Sequence, residues 1–422
     1  MLLPIATIAL LAWLFLLTCR GGFWRADCRL GPAPERERDW PAVTAVVPAR
    51  DEADVIEPAL LSLLKQDYPG ALRVVLVDDD SGDGTTARAR ALTGVAGRSE
   101  ILTIVESAPL PPGWSGKLWA VQQGIERAEA LEAGESPPRY IWLSDADIVV
   151  EPDLLRRLIA KAEDDGRDLV SLMALLEHEG HWARLLIPPF VFFFQKLYPF
   201  PWSNDRDART AAAAGGCNLV RAEALAAAGG ITAIRDALID DCALAALIKG
   251  RARPGTAPRG RGIWLGLTEA AVSIRPYRAL GEVWRMVART AYTQLQHSPW
   301  LLAGTLVGMA LLYLAPPLIP LTLPLHGEPL AAGLAAAAWL AMAFAAWPTY
   351  RLYREPPWRC LLLPMAALLY TAMTFDSALQ HWHGRGGRWK GRVQAPGQQA
   401  GDRQMGAADC QAAPLEGPRS GG

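Results

Sequence analysis

The chain has 422 residues, enough for two or three domains, of which 51% are hydrophobic, and its formal net charge is −1. No global basic field therefore argues for nucleic acid as a partner. Six scattered cysteines, none in a C-x-x-C pair, suggest neither a disulfide framework nor a zinc knuckle and suit a reducing compartment.

In chain order, MLLPIATIALLAWLFLLT comes first: 18 residues without charge, about 27 Å as a helix and long enough to span a bilayer. No basic residue precedes it, while Arg20, Arg25 and Arg29 follow. That order opposes a cleaved signal peptide and predicts an anchor over residues 1–19 with its C-terminal side cytoplasmic.

Residues 40–295 read as an ordinary α/β domain. A strand at Val43–Val47 runs into Pro48 and a charged loop, and Ile56, Leu60, Leu63 and Leu64 then mark one helical face. A second strand, Val74–Val77, is followed by Asp78, Asp79 and Asp80, by GDG, and by a helix from about Thr85. ILTIV at 101–105 is a third strand. SGKLWAVQQGIERA is a helix with Leu118, Val121, Ile125 and Ala128 on one side. YIWLS and DLVSLMA supply two more strands. Continuous rather than alternating apolarity predicts strands covered on both faces, hence a Rossmann-like, mostly parallel sheet with flanking helices.

LLIPPFVFFFQKLYPFPW at 185–202 lies inside this domain, so a span there would put half of it on the wrong side. It fits a segment in the membrane interface or a buried core helix. HEGH at 178–181 has its histidines three apart, not four, and reads as a solvated loop rather than a zincin motif. Three apolar runs follow, 299–325, 329–347 and 360–376, forming a second membrane region over 299–376. Pro316, Pro317, Pro320 and Pro324 should kink or end the first of them. Arg351, Arg354 and Arg359 mark the loop before the third as cytoplasmic. If all three runs cross, the basic stretch at 381–392 lands outside, against the positive-inside tendency, so either one run is re-entrant, the reading favoured by that tendency, or the tail departs from it. The tail, 377–422, is basic and then, beyond about 394, Gln/Gly/Pro/Ala-rich and expected to be disordered.

Acids recur at predicted strand ends: Asp51 and Glu52, then Asp78 to Asp80, then Asp145 and Asp147. Ligands of such sheets bind there. No G-x-G-x-x-G follows the first strand, which disfavours a dinucleotide dehydrogenase, and no P-loop is present. Asp145 and Asp147, two apart, can reach one Mg2+ or Mn2+ together, and an acidic rim needs such a cation to accept a phosphorylated ligand. Asp240 and Asp241 open a further helix, where either is also a good N-cap.

The segments VVPARDE, LVDDDSGDGT, GWSGKLWAVQQG, LSDADI, AAAAGGCNLVRAEALAAAGG and ALIDDCALAALIKG resemble, in order, those of the family-2 glycosyltransferases, which have a GT-A fold. RLLIPPFVFFFQKLYPF and MVARTAYTQL, with the membrane layout, further resemble the hopene-associated glycosyltransferases of hopanoid biosynthesis. The resemblance implies a membrane-bound, inverting enzyme that moves a sugar from a nucleotide-diphosphate sugar donor to a lipid acceptor, possibly a hopanoid, on the cytoplasmic face of a bacterial inner membrane. By that pattern Asp51, Glu52 and Asp79 line the nucleoside pocket with Asp78 beside them, and Lys117 reaches the diphosphate. Asp145 and Asp147 hold the metal, with Asp145 also on the donor side. Gly215, Gly216 and Cys217 form an acceptor-side loop with Asp240 nearby, and Asp241 is the general base. Where processive relatives carry a Q/R-x-x-R-W stretch, this chain has Arg285 and Arg289 with Thr290 in place of Trp. A processive polysaccharide synthase shares the acids but should keep that stretch and have more spans. A non-catalytic scaffold should have lost some acids.

Overall fold

The computed structural model describes residues 2–34, 38–95, 101–131, 138–250 and 262–385, with two further two-residue strands at Arg388–Trp389 and Arg392–Val393. The tail beyond 394, expected to be disordered, lies outside the described residues. Counting helices of at least eight residues, the described chain begins with α1 (Leu2–Cys19) and strand β1 (Val43–Ala49), then α2 (Ile56–Leu64), β2 (Leu72–Asp78), α3 (Thr85–Val95), β3 (Leu102–Glu106) and α4 (Gly116–Leu131). It continues through β4 (Tyr140–Ser144), β5 (Ile148–Val150), α5 (Leu154–Asp164), β6 (Leu169–Leu176) and α6 (His181–Leu197). It closes with β7 (Cys217–Arg221), α7 (Asp240–Ile248), β8 (Ile263–Ser273) and α8 (Leu280–Ala288).

The eight strands form one sheet in the order β3-β2-β1-β4-β7-β6-β8-β5. Strands β3, β2, β1 and β4 run parallel, and every residue of β1 and β4 is buried, as expected for strands covered on both faces. The other half is mixed, because β7 pairs antiparallel with both β4 and β6 while β6 and β8 are parallel. Helix α4 lies close on the sheet at Gly124, where an added Cβ would sit 2.4 Å from Val46 Cγ1. The GGCNLVR segment is therefore mostly strand rather than loop, with only Gly215 and Gly216 left as the turn that enters β7.

Among the described residues, four stretches are long and apolar enough to cross a membrane: α1, α9 (Pro299–Leu321), α10 (Pro329–Leu352) and Pro357–Trp382. The last comprises a 3-10 turn (Pro357–Leu362) and α11 (Leu363–Trp382). Helices α1, α9 and α10 form a bundle: Ala6 meets Ile319, Ala331 and Ala335 at one end, and Ala9 and Trp13 meet Tyr313, Ala338 and Met342 further along. The prolines of α9 act through a π turn at Ala310–Leu314, immediately before Pro316 and Pro317. Pro316 has no N–H to give the carbonyl of Leu312, and the indole of Trp13 donates to it instead at 2.8 Å. Helix α6 joins the two parts. Its Ala183, Leu186 and Ile187 pack with Leu265, Leu267 and Val283 of the domain, while Phe192 packs with Trp13 and Met342 of the bundle. Residues 185–197 thus belong to a helix packed on both sides, with Leu186, Ile187, Pro188, Pro189, Val191, Phe192 and Gln195 buried.

Candidate active site

The acids converge because parallel strands end on one edge and the loops that follow carry them. Their cavity, about 720 Å³, is bounded by the ends of β1, β4 and β8, the starts of α4 and α7, the Gly215–Gly216 turn, and side chains of α6 and α8. Eight carboxylates face it (Asp51, Glu52, Asp54, Asp145, Asp147, Asp240, Asp241 and Glu282) against four cations (Lys117, Arg275, Arg285 and Arg289). Phe190 and Phe194 of α6, Met173 and Met286 give it an apolar side.

Two fixed cations hold the acidic rim together. The start of α4 places Lys117 Nζ 2.9 Å from Asp145 Oδ1 and 3.0 Å from Asp240 Oδ2. Burial disfavours the ammonium, but the two carboxylates outweigh it and raise its pKa above the ordinary lysine value. Arg275, just beyond β8, donates from Nη2 to both oxygens of Glu52 (2.7 and 2.8 Å) and from Nε to Asp147 Oδ2 (3.0 Å). Ser273 Oγ donates to the same Asp147 oxygen at 2.9 Å. Arg275 drew no notice in the sequence, since RPYR has no spacing that marks it, and β8 was not among the expected strands.

Asp241 lies at the start of α7 but does not cap it. The N-cap position is Ile239, and Asp241 Oδ1 accepts instead from the backbone N–H of Cys242 at 2.7 Å. Neither aspartate is thus the N-cap that the sequence allowed. Burial, then the charge of Asp240, push the Asp241 carboxyl up to about 7, against the pull of Lys117. Burial likewise raises Asp145, with Asp147 and Asp240 adding to the shift and Lys117 opposing it. Gly215 borders these groups: a Cβ there would stand in ordinary contact, 3.5 Å from Asp241 Oδ2 and 3.6 Å from Asp145 Oδ2.

The remaining sequence candidates divide. Asp51, Glu52, Gly215, Gly216 and Asp240 line the cavity, whereas Asp78, Asp79 and Cys217 do not. Asp78 accepts from Ser81 Oγ and Thr86 Oγ1 and so orders the DSGDGTT turn. Asp79 is buried beside Arg50, with Arg50 Nη1 3.6 Å from its Oδ2. Cys217 points into the core, where Trp142 Nε1 donates to its sulfur at 3.3 Å.

Residues 44–227 match the family described as Glycosyl transferase family 2. That segment is a family-2 glycosyltransferase domain. It reaches from β1 to just past β7 and stops before Asp240 and Asp241. The chain is also 28% identical over 139 residues to an N-acetylglucosaminyltransferase of Rhizobium meliloti (strain 1021), covering 32% of this chain and 29% of that protein. It is 32% identical over 148 residues to the succinoglycan biosynthesis protein ExoO of the same organism, covering 34% and 37%. The chain thus spans about a third of the length of these curated relatives. Among solved structures, a mannosyltransferase from Pyrobaculum calidifontis in complex with GDP-Man and Mn2+ superposes with a TM-score of 0.55 at 21% identity, over 91% of this chain and all of that one. The glycosyltransferase domain accordingly has the GT-A fold, a mixed sheet with flanking helices, here joined to candidate membrane helices.

Among the described residues no three His, Cys, Asp or Glu side chains form a metal-binding cluster. The donor set nevertheless fits a divalent ion shared with a ligand. Lys117 and Arg275 each engage one oxygen, which leaves Asp145 Oδ2 and Asp147 Oδ1 without a hydrogen bond from any described residue. Carboxylates outnumber cations two to one around the cavity, so a diphosphate entering alone would meet net repulsion.

Proposed function

We propose that this protein is a membrane-bound, inverting glycosyltransferase that moves a sugar from a nucleotide-diphosphate sugar to a lipid hydroxyl, with a hopanoid as the acceptor to test first. The observation that carries this reading is one cavity with two unlike sides: the acidic rim with Asp241 near neutrality, and the apolar wall of Phe190, Phe194 and Met286 next to the membrane bundle. The catalytic domain is read as cytoplasmic, on a bacterial inner membrane.

In this reading Asp51 and Glu52 lie on the nucleoside side, and Lys117 stands where the diphosphate approaches. Asp145 and Asp147 would hold Mg2+ or Mn2+, which supplies positive charge to the leaving diphosphate. The acceptor hydroxyl lies against Asp241. Its oxygen bonds to the anomeric carbon as the bond from that carbon to the diphosphate oxygen breaks, and the departing diphosphate keeps the electron pair. Asp241 takes the hydroxyl proton. One displacement inverts the anomeric configuration and needs no second carboxylate as nucleophile. The Mn2+ and the nucleotide sugar named for the Pyrobaculum calidifontis structure support the donor class.

The test is the full chain in lipid nanodiscs with UDP- and GDP-sugars, Mn2+ and extracted bacterial lipids. Nucleoside diphosphate should be released together with a new glycolipid, and EDTA should stop both. Release without any lipid product would defeat the acceptor assignment. Full turnover in Asp241→Asn would defeat the base assignment.

A further inference from the structure

We propose that residues 357–382 form a re-entrant hairpin that enters and leaves the membrane on the side of the catalytic domain, with the exposed face of α11 set in the acyl chains of that leaflet. By length and apolarity this segment is a fourth span. Its contacts place both ends on one side.

The entry point is tied to the domain. After α10, Tyr353 OH accepts from the backbone N–H of Leu176 at 3.3 Å, and the buried Glu355 lies 3.7 Å from Arg184 Nε and 2.9 Å from Arg359 Nε. From there the 3-10 turn has six residues, which at about 2.0 Å each descend about 12 Å. The hydrocarbon core is about 30 Å thick, so α11 begins no deeper than its middle. Consistently, Leu361 O accepts from Trp339 Nε1 of α10, a residue well inside that helix rather than at its far end.

The exit point is tied to the domain as well. Tyr370 OH donates to Leu186 O of α6 at 2.8 Å, and Trp284 Nε1 of α8 donates to Asp376 Oδ2 at 2.7 Å. Tyr292 N donates to Ser377 Oγ at 3.0 Å, and His381 stacks on His297 with ring centroids 4.1 Å apart. His297 immediately precedes Ser298, the N-cap of α9, where that helix sets out from the catalytic side. A spanning α11 would instead end beside the opposite cluster of Ala6, Ile319, Ala331 and Ala335, and none of its residues is in that cluster.

Two further observations agree. With α1, α9 and α10 as the crossings, Arg20, Arg25 and Arg29, then Arg351, Arg354 and Arg359, then Arg385, all lie on one side. Leu361, Met365, Leu368, Phe375 and Trp382 are 39, 53, 52, 43 and 52% exposed on a single face of the segment, away from its buried contacts. Val307 of α9 and Leu340 and Phe344 of α10 are exposed apolar side chains as well, on stretches long and apolar enough to cross a membrane, which is why lipid is the occupant of this face. The inner face of α11 braces α6 and α8, the two helices that supply the apolar wall of the cavity.

Nitroxide labels at Met365→Cys, Leu368→Cys, Phe375→Cys and Trp382→Cys, in proteoliposomes of the full chain, test this. The ratio of oxygen to nickel-chelate collisions should be highest at 365 and fall severalfold, without reversal, towards 382. A maximum near the middle of the helix, with aqueous chelate reaching both ends, would overturn the proposal. Should replacing native cysteines unfold the protein, the full chain fused at its C-terminus to alkaline phosphatase or a fluorescent protein gives a second reading. The fusion partner should lie on the protease-defined side of the catalytic domain, and a partner on the opposite side would refute the hairpin.

Discussion

At the scale of single residues, the site is a balance of charge that favours adding a cation. Asp241 has its pKa pushed up to about 7, against about 3.9 for an unfolded aspartate, by burial and by Asp240. Between those values the folded protein binds the extra proton, so the contribution of this group to stability is fully present below about 4 and is lost as pH rises through about 7. Thermal unfolding of the wild type should therefore show a pH-dependent loss between about 4 and 7 that Asp241→Asn lacks. A base must be deprotonated to act, so transfer should rise with pH across the same interval, and Asp241→Asn should lower it by roughly 10²- to 10⁴-fold. Asp145 is among the charges that raise Asp241. Saturating Mn2+ should hence move the acidic limb of the rate profile to lower pH. Arg275 is the second lever. Arg275→Gln leaves Glu52 and Asp147 facing each other without their shared cation. The metal-free variant should melt below wild type, and Mn2+ should raise its melting temperature by more than it raises the wild type's.

At the scale of elements, the sequence announced what is periodic and hid what is tertiary. The parallel strands were legible because Val43–Val47, Val74–Val77 and Tyr140–Leu143 are largely apolar runs, and the acids after the first and third of them marked the edge where the cavity lies. Strand β7 was not, because GGCNLVR begins with two glycines, and its pairing with β4 and β6 is decided by distant partners. Asp78 and Asp79 looked like Asp51 and Glu52 in sequence, but hydrogen bonds to Ser81 and Thr86 and the neighbouring Arg50 turn them away from the cavity. Arg275 was missed since nothing local distinguishes an ion-pairing arginine. The prolines of α9 show the same limit: they foretold a kink, and the π turn and the rescue by Trp13 depend on another helix. Trp13→Phe should leave the Leu312 carbonyl unsatisfied in an apolar setting and cost about 1 kcal/mol. The check is the unfolding midpoint in mixed micelles, where Trp24→Phe, whose indole bonds locally to Leu17 O, serves as the control.

At the scale of the whole molecule, donor and acceptor are expected to depend on different parts of the fold. The groups assigned to the donor, from Asp51 to Asp147 with Lys117, are held by the sheet and by ion pairs internal to the domain. The apolar wall is held from outside: α6 is packed between domain and bundle, and the 353–359 loop docks on the domain through Glu355, His178 and Arg184. Glu355 is buried, so Glu355→Ala leaves Arg359 and Arg184 without their carboxylate and removes the pin between bundle and domain. This variant should keep nucleotide-sugar affinity within about twofold of wild type, since 0.4 kcal/mol of perturbation at the donor side corresponds to about that factor. Its transfer to lipid should fall at least tenfold, while slow transfer of the sugar to water continues. Calorimetric titration with the donor and product analysis of both reactions measure the split. Equal losses in donor binding, hydrolysis and lipid transfer would mean that the bundle supports the whole domain rather than the acceptor wall.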